Sequence, residues 1–361
     1  MSRLESYEIN ELFKNNPSQE PQPPTSGIAV DRKQMIAEFD SEAAYNTEIH
    51  SAAKPVPKDL AEFLVNAGLL LKSGEHTLAL NLFRATLMRD PDNSVALRGM
   101  GESLSQLNRH TEALPYFRAI VKNEGTPQAW ARLADEAYHA QDFDEAYTSY
   151  VVSIEMGLPD GRELFAAYKN LGNILVIRTD LAAAEKMYQK AYTLNPDSDV
   201  LMVNLGSLEI HKGDLNKAVH MFRQAVAVND SNDKAWVGLA LIHREFSDSE
   251  LSWANVEKAL DLNPKNESAI RLVSEWALKD AEYDKAITRI EKFLQHCDQD
   301  AQMTLWLAKF FYLAGQLNNA EVEINKALDL SPHLEGAMEV YQAIREERLC
   351  RETQPHREAR V

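Results

Sequence analysis

The sequence predicts an all-α chain built as an array of helix–turn–helix units, and three observations point to it. A 34-residue period runs from near Leu60 to near Leu334, with a small adjustment around residues 125–165. Two positions of every copy carry a small residue. Turn and stop residues then fall at fixed offsets between the apolar stretches.

The period is plainest where "YKNLGNILVIRTDLAAAEKMYQKAYTLNPDS" is set against "MVNLGSLEIHKGDLNKAVHMFRQAVAVNDSN". Eight copies start near Leu60, Ser94, Pro127, Phe165, Asp199, Asp233, Glu267 and Ala301. Their eighth residues are Ala67, Gly101, Ala134, Gly172, Gly206, Ala240, Ser274 and Ala308; their twentieth are Ala79, Ala113, Ala146, Ala184, Ala218, Ser252, Ala286 and Ala320. Antiparallel helices approach closely only over small side chains, so these two positions mark the contact within each unit. Phe83, Phe117, Tyr150, Tyr188 and Phe222 at position twenty-four fill the adjoining gaps. Gly74, Asn108, Gly213 and Gly315 stand between the helices, where a left-handed cap is needed. Pro91, Pro196, Pro264 and Pro332 end the second helix, because the residue before a proline is pushed out of the helical region. Each unit leaves an apolar side that only a neighbour can cover.

These residues resemble the tetratricopeptide repeat family, over about three quarters of the chain. Trp130 and Trp236 at position four, the small pair at eight and twenty, and the proline near thirty-two carry the resemblance. It implies a right-handed superhelical solenoid whose first helices line a concave groove for a peptide or protein. The seventh copy and the one before it depart from the pattern: Ser252 replaces alanine beside Trp253, and Phe293 replaces a small residue. The favoured expectation there is a tolerated repacking; looser or differently angled packing, with a bend or a partner surface, is the alternative. Trp130 and Trp236 read as core.

The two ends differ from the repeats. Residues 1–58 read as a flexible arm with a Pro/Gln-rich linker at 15–27, after a short stretch in which Leu4, Tyr7, Leu12 and Phe13 form one apolar side. Such a helix is marginal alone and suits docking to a partner. A second candidate helix at 31–51, with Met35, Ile36 and Phe39 on one side, would cap the first repeat or lie in the groove. The repeats themselves occupy 59–334. Residues 335–352 read as a terminal capping helix with Met338, Tyr341 and Ile344 inward, and 353–361 as a basic, disordered tail.

Composition narrows the function. A formal net charge of -17 disfavours nucleic acid and an anionic membrane surface. Cys297 and Cys350 have no metal-ligand spacing and no disulfide framework, and the start has no secretory signal. No stretch approaches the ~18 apolar residues of a membrane span. The expectation is a cytoplasmic protein. No phosphate-cradling loop, metal helix or nucleophile elbow is present, so neither catalytic residues, metal nor cofactor is expected.

Two groups of binding candidates remain. Lys169 and Asn173 at positions five and nine of the fourth copy, Asn204 in the fifth and Lys234 in the sixth resemble the carboxylate clamp of tetratricopeptide adaptors. That clamp holds the free C-terminus of heat-shock chaperones, and four of its five positions match. Gly238 stands where the fifth, an arginine, is expected, with Arg244 nearby. Lysine and amide donors suit a carboxylate, through charge-assisted hydrogen bonds. Asparagines at these positions are common in the family, so the two lysines carry the information. In the last copy, Trp306, Lys309 and Tyr312 follow one another at three-residue spacing, a set suited to an amphipathic peptide. The expected function is a non-catalytic adaptor that binds a peptide or helix in the groove. The alternative is a permanent subunit of a homo- or hetero-oligomer joined through the arm and end repeats. The sequence does not fix the oligomeric state.

Overall fold

The computed structural model describes residues 58–159, 161–297 and 300–353. Among them seventeen helices and no strand are formed. The described residues fall in two compact units that divide at Pro196 and Asp197. The first unit holds four helix pairs: α1 (Lys58–Lys72) with α2 (His76–Leu87), α3 (Ser94–Gln106) with α4 (His110–Glu124), α5 (Pro127–His139) with α6 (Phe143–Glu155), and α7 (Arg162–Ile177) with α8 (Leu181–Leu194). The second holds α9 (Asp199–Lys212) with α10 (Leu215–Val228), α11 (Asp233–Glu245) with α12 (Ser249–Leu262), α13 (Glu267–Asp280) with α14 (Tyr283–Leu294), and α15 (Ala301–Leu313) with α16 (Leu317–Leu330). A last helix, α17 (Ala337–Thr353), closes it. The arm residues Leu4, Tyr7, Leu12 and Phe13, the second N-terminal helix and the basic tail beyond Thr353 lie outside the described residues.

The helices start and stop where local chemistry dictates. Asn93, Thr126, Asp142, Asp180, Ser198 and Asp214 each accept a hydrogen bond from a backbone N–H of the first turn that follows. Such caps satisfy donors that the helix itself leaves open. Within each pair, positions eight and twenty are buried, and the aromatic rings of Phe83, Phe117, Tyr150, Tyr188 and Phe222 are at most 2% exposed. Small residues therefore seat large rings, as the period predicts.

The turn between paired helices repeats a single backbone solution. Position fifteen takes a positive φ in all eight pairs, at Gly74, Asn108, Gln141, Thr179, Gly213, Ser247, Ala281 and Gly315. Glycine and asparagine supply half of these, as expected from sequence. The other half force an ordinary side chain into the left-handed region, and β-branched Thr179 (φ 61) is the most crowded of them. Thr179→Gly is expected to stabilise the first unit by about 0.5–1 kcal/mol, since relief of the crowding outweighs the added chain entropy. A rise in the urea midpoint checks this; a fall would show that the turn carries no strain.

One expectation, the inward side of α17, is corrected. Around Ser252 and Phe293 the chain is repacked rather than loosened: both are buried, at 0% and 2% exposure, and the Ser252 hydroxyl donates to the Ser249 carbonyl at 2.9 Å. Trp253 meets Trp276 edge-on at 6.0 Å, and its indole N–H donates to Asp280 at 2.8 Å. The bulk of Trp253 is thus taken up by a ring pair. In α17 the inward side is Ala337, Tyr341 and Ile344, whereas Met338 is exposed. One residue past Ala337 is a turn of about 100° around the axis, which carries Met338 off that side. Trp130 and Trp236 are half-buried against the core, and the Trp236 indole N–H donates to the Asp230 carbonyl at 2.8 Å.

Candidate functional site

In the first unit the candidates lie on α7, above a polar network that binds α5, α6, α7 and α8 together. Asn173 is 6% exposed. Its amide nitrogen donates to the Tyr138 hydroxyl at 2.9 Å, and its carbonyl oxygen accepts from the Tyr188 hydroxyl at 2.7 Å. One turn back, the Asn170 amide donates to the Tyr150 hydroxyl at 2.7 Å, and that hydroxyl donates to Asp135 at 2.6 Å. Burial raises the Asp135 carboxyl above the usual carboxylate range, against the stabilising hydrogen bond from Tyr150. Burial likewise pushes the Tyr150 and Tyr188 phenols well above their ordinary value.

Lys169 is half-exposed beside this network and close to His139. The His139 ring stacks on His110 at 5.0 Å. Burial depresses the His139 imidazole first, and the charge of His110 adds to it. Below them Glu136, 2% exposed, accepts from Ser105 at 2.6 Å and lies 2.9 Å from His110 Nδ1. Lys169 thus sits beside buried polar side chains that are already hydrogen-bonded to one another.

In the second unit Asn204 on α9 is buried and Lys234 opens the first turn of α11. Burial lowers the Lys234 ammonium below its ordinary value, with Asp233 opposing. Gly238, where the family resemblance expects arginine, has no room for a side chain: a Cβ there would stand 2.4 Å from the Phe222 ring. Arg244 does not stand in for it. Its guanidinium grips Asp280 with two bonds of 2.7 and 2.8 Å and lies 5.1 Å from the Trp276 ring centre. Those hydrogen bonds hold the Asp280 carboxyl below the usual carboxylate range.

The last candidates share α15. Trp306 is half-buried and stacks on Phe310 at 5.7 Å, and the Lys309 ammonium lies 4.9 Å from the Trp306 ring centre. Tyr312 is half-exposed one turn further on. A ring held from below and covered by a cation is a ready surface for an apolar side chain with an acidic neighbour.

Sequence reasoning missed the tyrosine network, although a signal for it was present. Position twenty-four is phenylalanine in Phe83, Phe117 and Phe222 but tyrosine in Tyr150 and Tyr188. A hydroxyl at a fully buried position requires a partner, and the asparagines of α7 supply it: Asn170 to Tyr150 of the preceding pair, and Asn173 to Tyr188 of its own pair. Among the described residues no group of three His, Cys, Asp or Glu could hold a metal ion, and no helix is long and apolar enough to cross a membrane.

The pairs, their small-residue contacts and the candidates on first helices define an all-α helical-repeat protein. Tetratricopeptide repeat models match residues 70–137, 165–198 and 203–267, and the chain belongs to the tetratricopeptide repeat family. Among solved structures it is similar to a chain of the APC/C hetero-tetramer Cut9–Hcn1, with 18% identity and a TM-score of 0.51 over 85% of this chain. It spans only 59% of that protein's chain. It is also similar to a tetratricopeptide repeat protein from Parabacteroides merdae, with 13% identity and a TM-score of 0.53, over 80% of this chain and 99% of that one. These likenesses support the fold. No curated protein matches the chain in sequence.

Proposed function

We propose that the chain is a non-catalytic interaction scaffold of the cytoplasm that receives a peptide or helix of a partner along its first helices. The observation that carries this reading is preorganisation. Side chains on first helices are braced before any ligand arrives, Asn173 by Tyr138 and Tyr188, and Trp306 by Phe310. Bracing lowers the entropy lost on binding. In the first unit Lys169, and in the second Lys234 and Lys309, offer cations to an acidic peptide or its free C-terminal carboxylate.

The test is a quantitative capture of partners by Lys169→Ala, Lys234→Ala and Trp306→Ala/Lys309→Ala variants, with Lys186→Ala on exposed α8 as control. Loss of the same partners from a first-helix variant but not from the control supports the reading. Partners unaffected by every first-helix variant would sink it. Free-acid and amidated forms of the captured C-terminal peptide then decide whether a terminal carboxylate is read.

A second reading, a permanent subunit of a larger assembly, is favoured by apolar residues at the outer end of the first repeat. Val65 and Leu69 of α1 are 63% and 60% exposed, although buried residues occupy the second of these register positions in every later pair. The Cut9–Hcn1 likeness comes from a hetero-tetramer. Light scattering across a concentration series distinguishes a self-assembling subunit from a monomeric scaffold.

A further inference from the structure

The second unit carries a cleft of about 540 Å³ that belongs to none of the first-helix candidates. One wall is α10, the second helix of its pair, with Val219, His220 and Arg223. The other is the end of α11 and the turn after it, with His243, Phe246 and Asp248. The shape follows from the local sequence. Phe246 occupies the last position before the left-handed residue Ser247 (φ 60), so its ring stands at the turn and is 47% exposed.

The charges in the cleft are unevenly satisfied. The Asp248 carboxylate caps α12 by accepting from the Leu251 N–H at 3.1 Å, and it lies 4.0 Å from His243 Nδ1. Arg223 and His220 are exposed and, among the described residues, make no hydrogen bond or ion pair. This is unusual company in a chain of net charge -17, where acidic side chains are abundant. A guanidinium presents a planar fork that matches a carboxylate. Val219 and Phe246 supply apolar area on either side of it. A single exposed phenylalanine is ordinary; one that walls a cleft beside an unpaired arginine is a recognition geometry. Nucleic acid would bring many phosphates against a strongly acidic chain, so the complementary ligand is a protein segment.

We propose that this cleft binds an acidic side chain of a partner protein, flanked by apolar residues, as a second docking surface lined by none of the first-helix candidates. Arg223 holds the carboxylate, His220 adds a donor, and Phe246 and Val219 pack against the flanking residues. The probe is the peptide acetyl-Leu-Glu-Leu-amide, titrated into the full chain with methyl-labelled valine, and Val219 is followed by NMR. Its signal is expected to shift with the peptide and to stay still with acetyl-Leu-Gln-Leu-amide. Arg223→Gln is expected to weaken the response about tenfold, the loss of one charge-assisted contact. His220→Gln should reduce it by a smaller factor. Arg223 and His220 are exposed, so helicity measured by circular dichroism should match wild type. An unmoved Val219, equal shifts from the glutamine peptide, or full response in Arg223→Gln would each overturn the proposal.

Discussion

Replacing Gly172 with alanine is expected to destabilise the first unit by about 2–3 kcal/mol, the cost of forcing a group into a filled core. The direction runs against helix propensity, which favours alanine over glycine by about 1 kcal/mol in a helix interior. What decides it is the ring beneath. A Cβ on Gly172 would stand 2.2 Å from Cε1 and 2.4 Å from Cδ1 of Tyr188. Tyr188 is fully buried, and its hydroxyl is tied to Asn173 on the same helix as Gly172. Its ring has settled into the space that the missing side chain leaves. Ala134 and Tyr150, both fully buried at the corresponding positions of the third pair, show that the same register accepts alanine when the sequence has it from the start.

Gly206 provides the contrast. A Cβ there would lie 2.9 Å from Phe222, whose ring has no hydroxyl to anchor it. Gly206→Ala is expected to fall within about 1 kcal/mol of wild type, because propensity offsets the milder crowding. Urea midpoints of the two variants, with hydrogen exchange to assign each loss to its unit, make the comparison. Equal midpoints would show that the rings are free to retreat.

The same residues show why part of the structure was legible in the sequence. The close approach of two helices depends on side-chain size at fixed positions, and size repeats with the chain. Gly172, Ala184 and their counterparts could therefore be paired without coordinates. The turns were half legible: Gly74 and Asn108 announce a left-handed residue, whereas Gln141, Thr179, Ser247 and Ala281 are driven there by the helices they join. Position in the register, not residue type, dictates the backbone.

The candidate site was less legible, because its partners converge from four helices. Asn173 reaches Tyr138, 35 residues earlier, and accepts from Tyr188, 15 residues later. The family resemblance drew attention to the asparagine as a ligand-facing amide, and nothing local in "KNLGN" announced two buried phenols beneath it. Arg244 followed the same course. It stood near the position of a missing arginine in sequence, but Asp280, 36 residues on, holds it. Groups of one charge sign are common; which of them are already paired is a property of the packed repeats.

The network makes the second large prediction. Asn173→Leu is expected to cost the first unit about 2–4 kcal/mol, because two buried phenols lose their partner at once and each stranded hydroxyl carries its own desolvation penalty. The branched side chain fills much of the vacated volume, so the loss reports polarity rather than a cavity. Lys169→Ala, one turn away on half-exposed surface, is expected to change stability by less than about 0.5 kcal/mol. The pair of variants separates two roles that the sequence motif merges. If Lys169→Ala alters partner capture at unchanged stability while Asn173→Leu lowers the urea midpoint, the lysine recognises and the asparagine braces. If Asn173→Leu leaves the midpoint where it was, the phenols have found other partners, and the braced floor under Lys169 is not what holds this surface in shape.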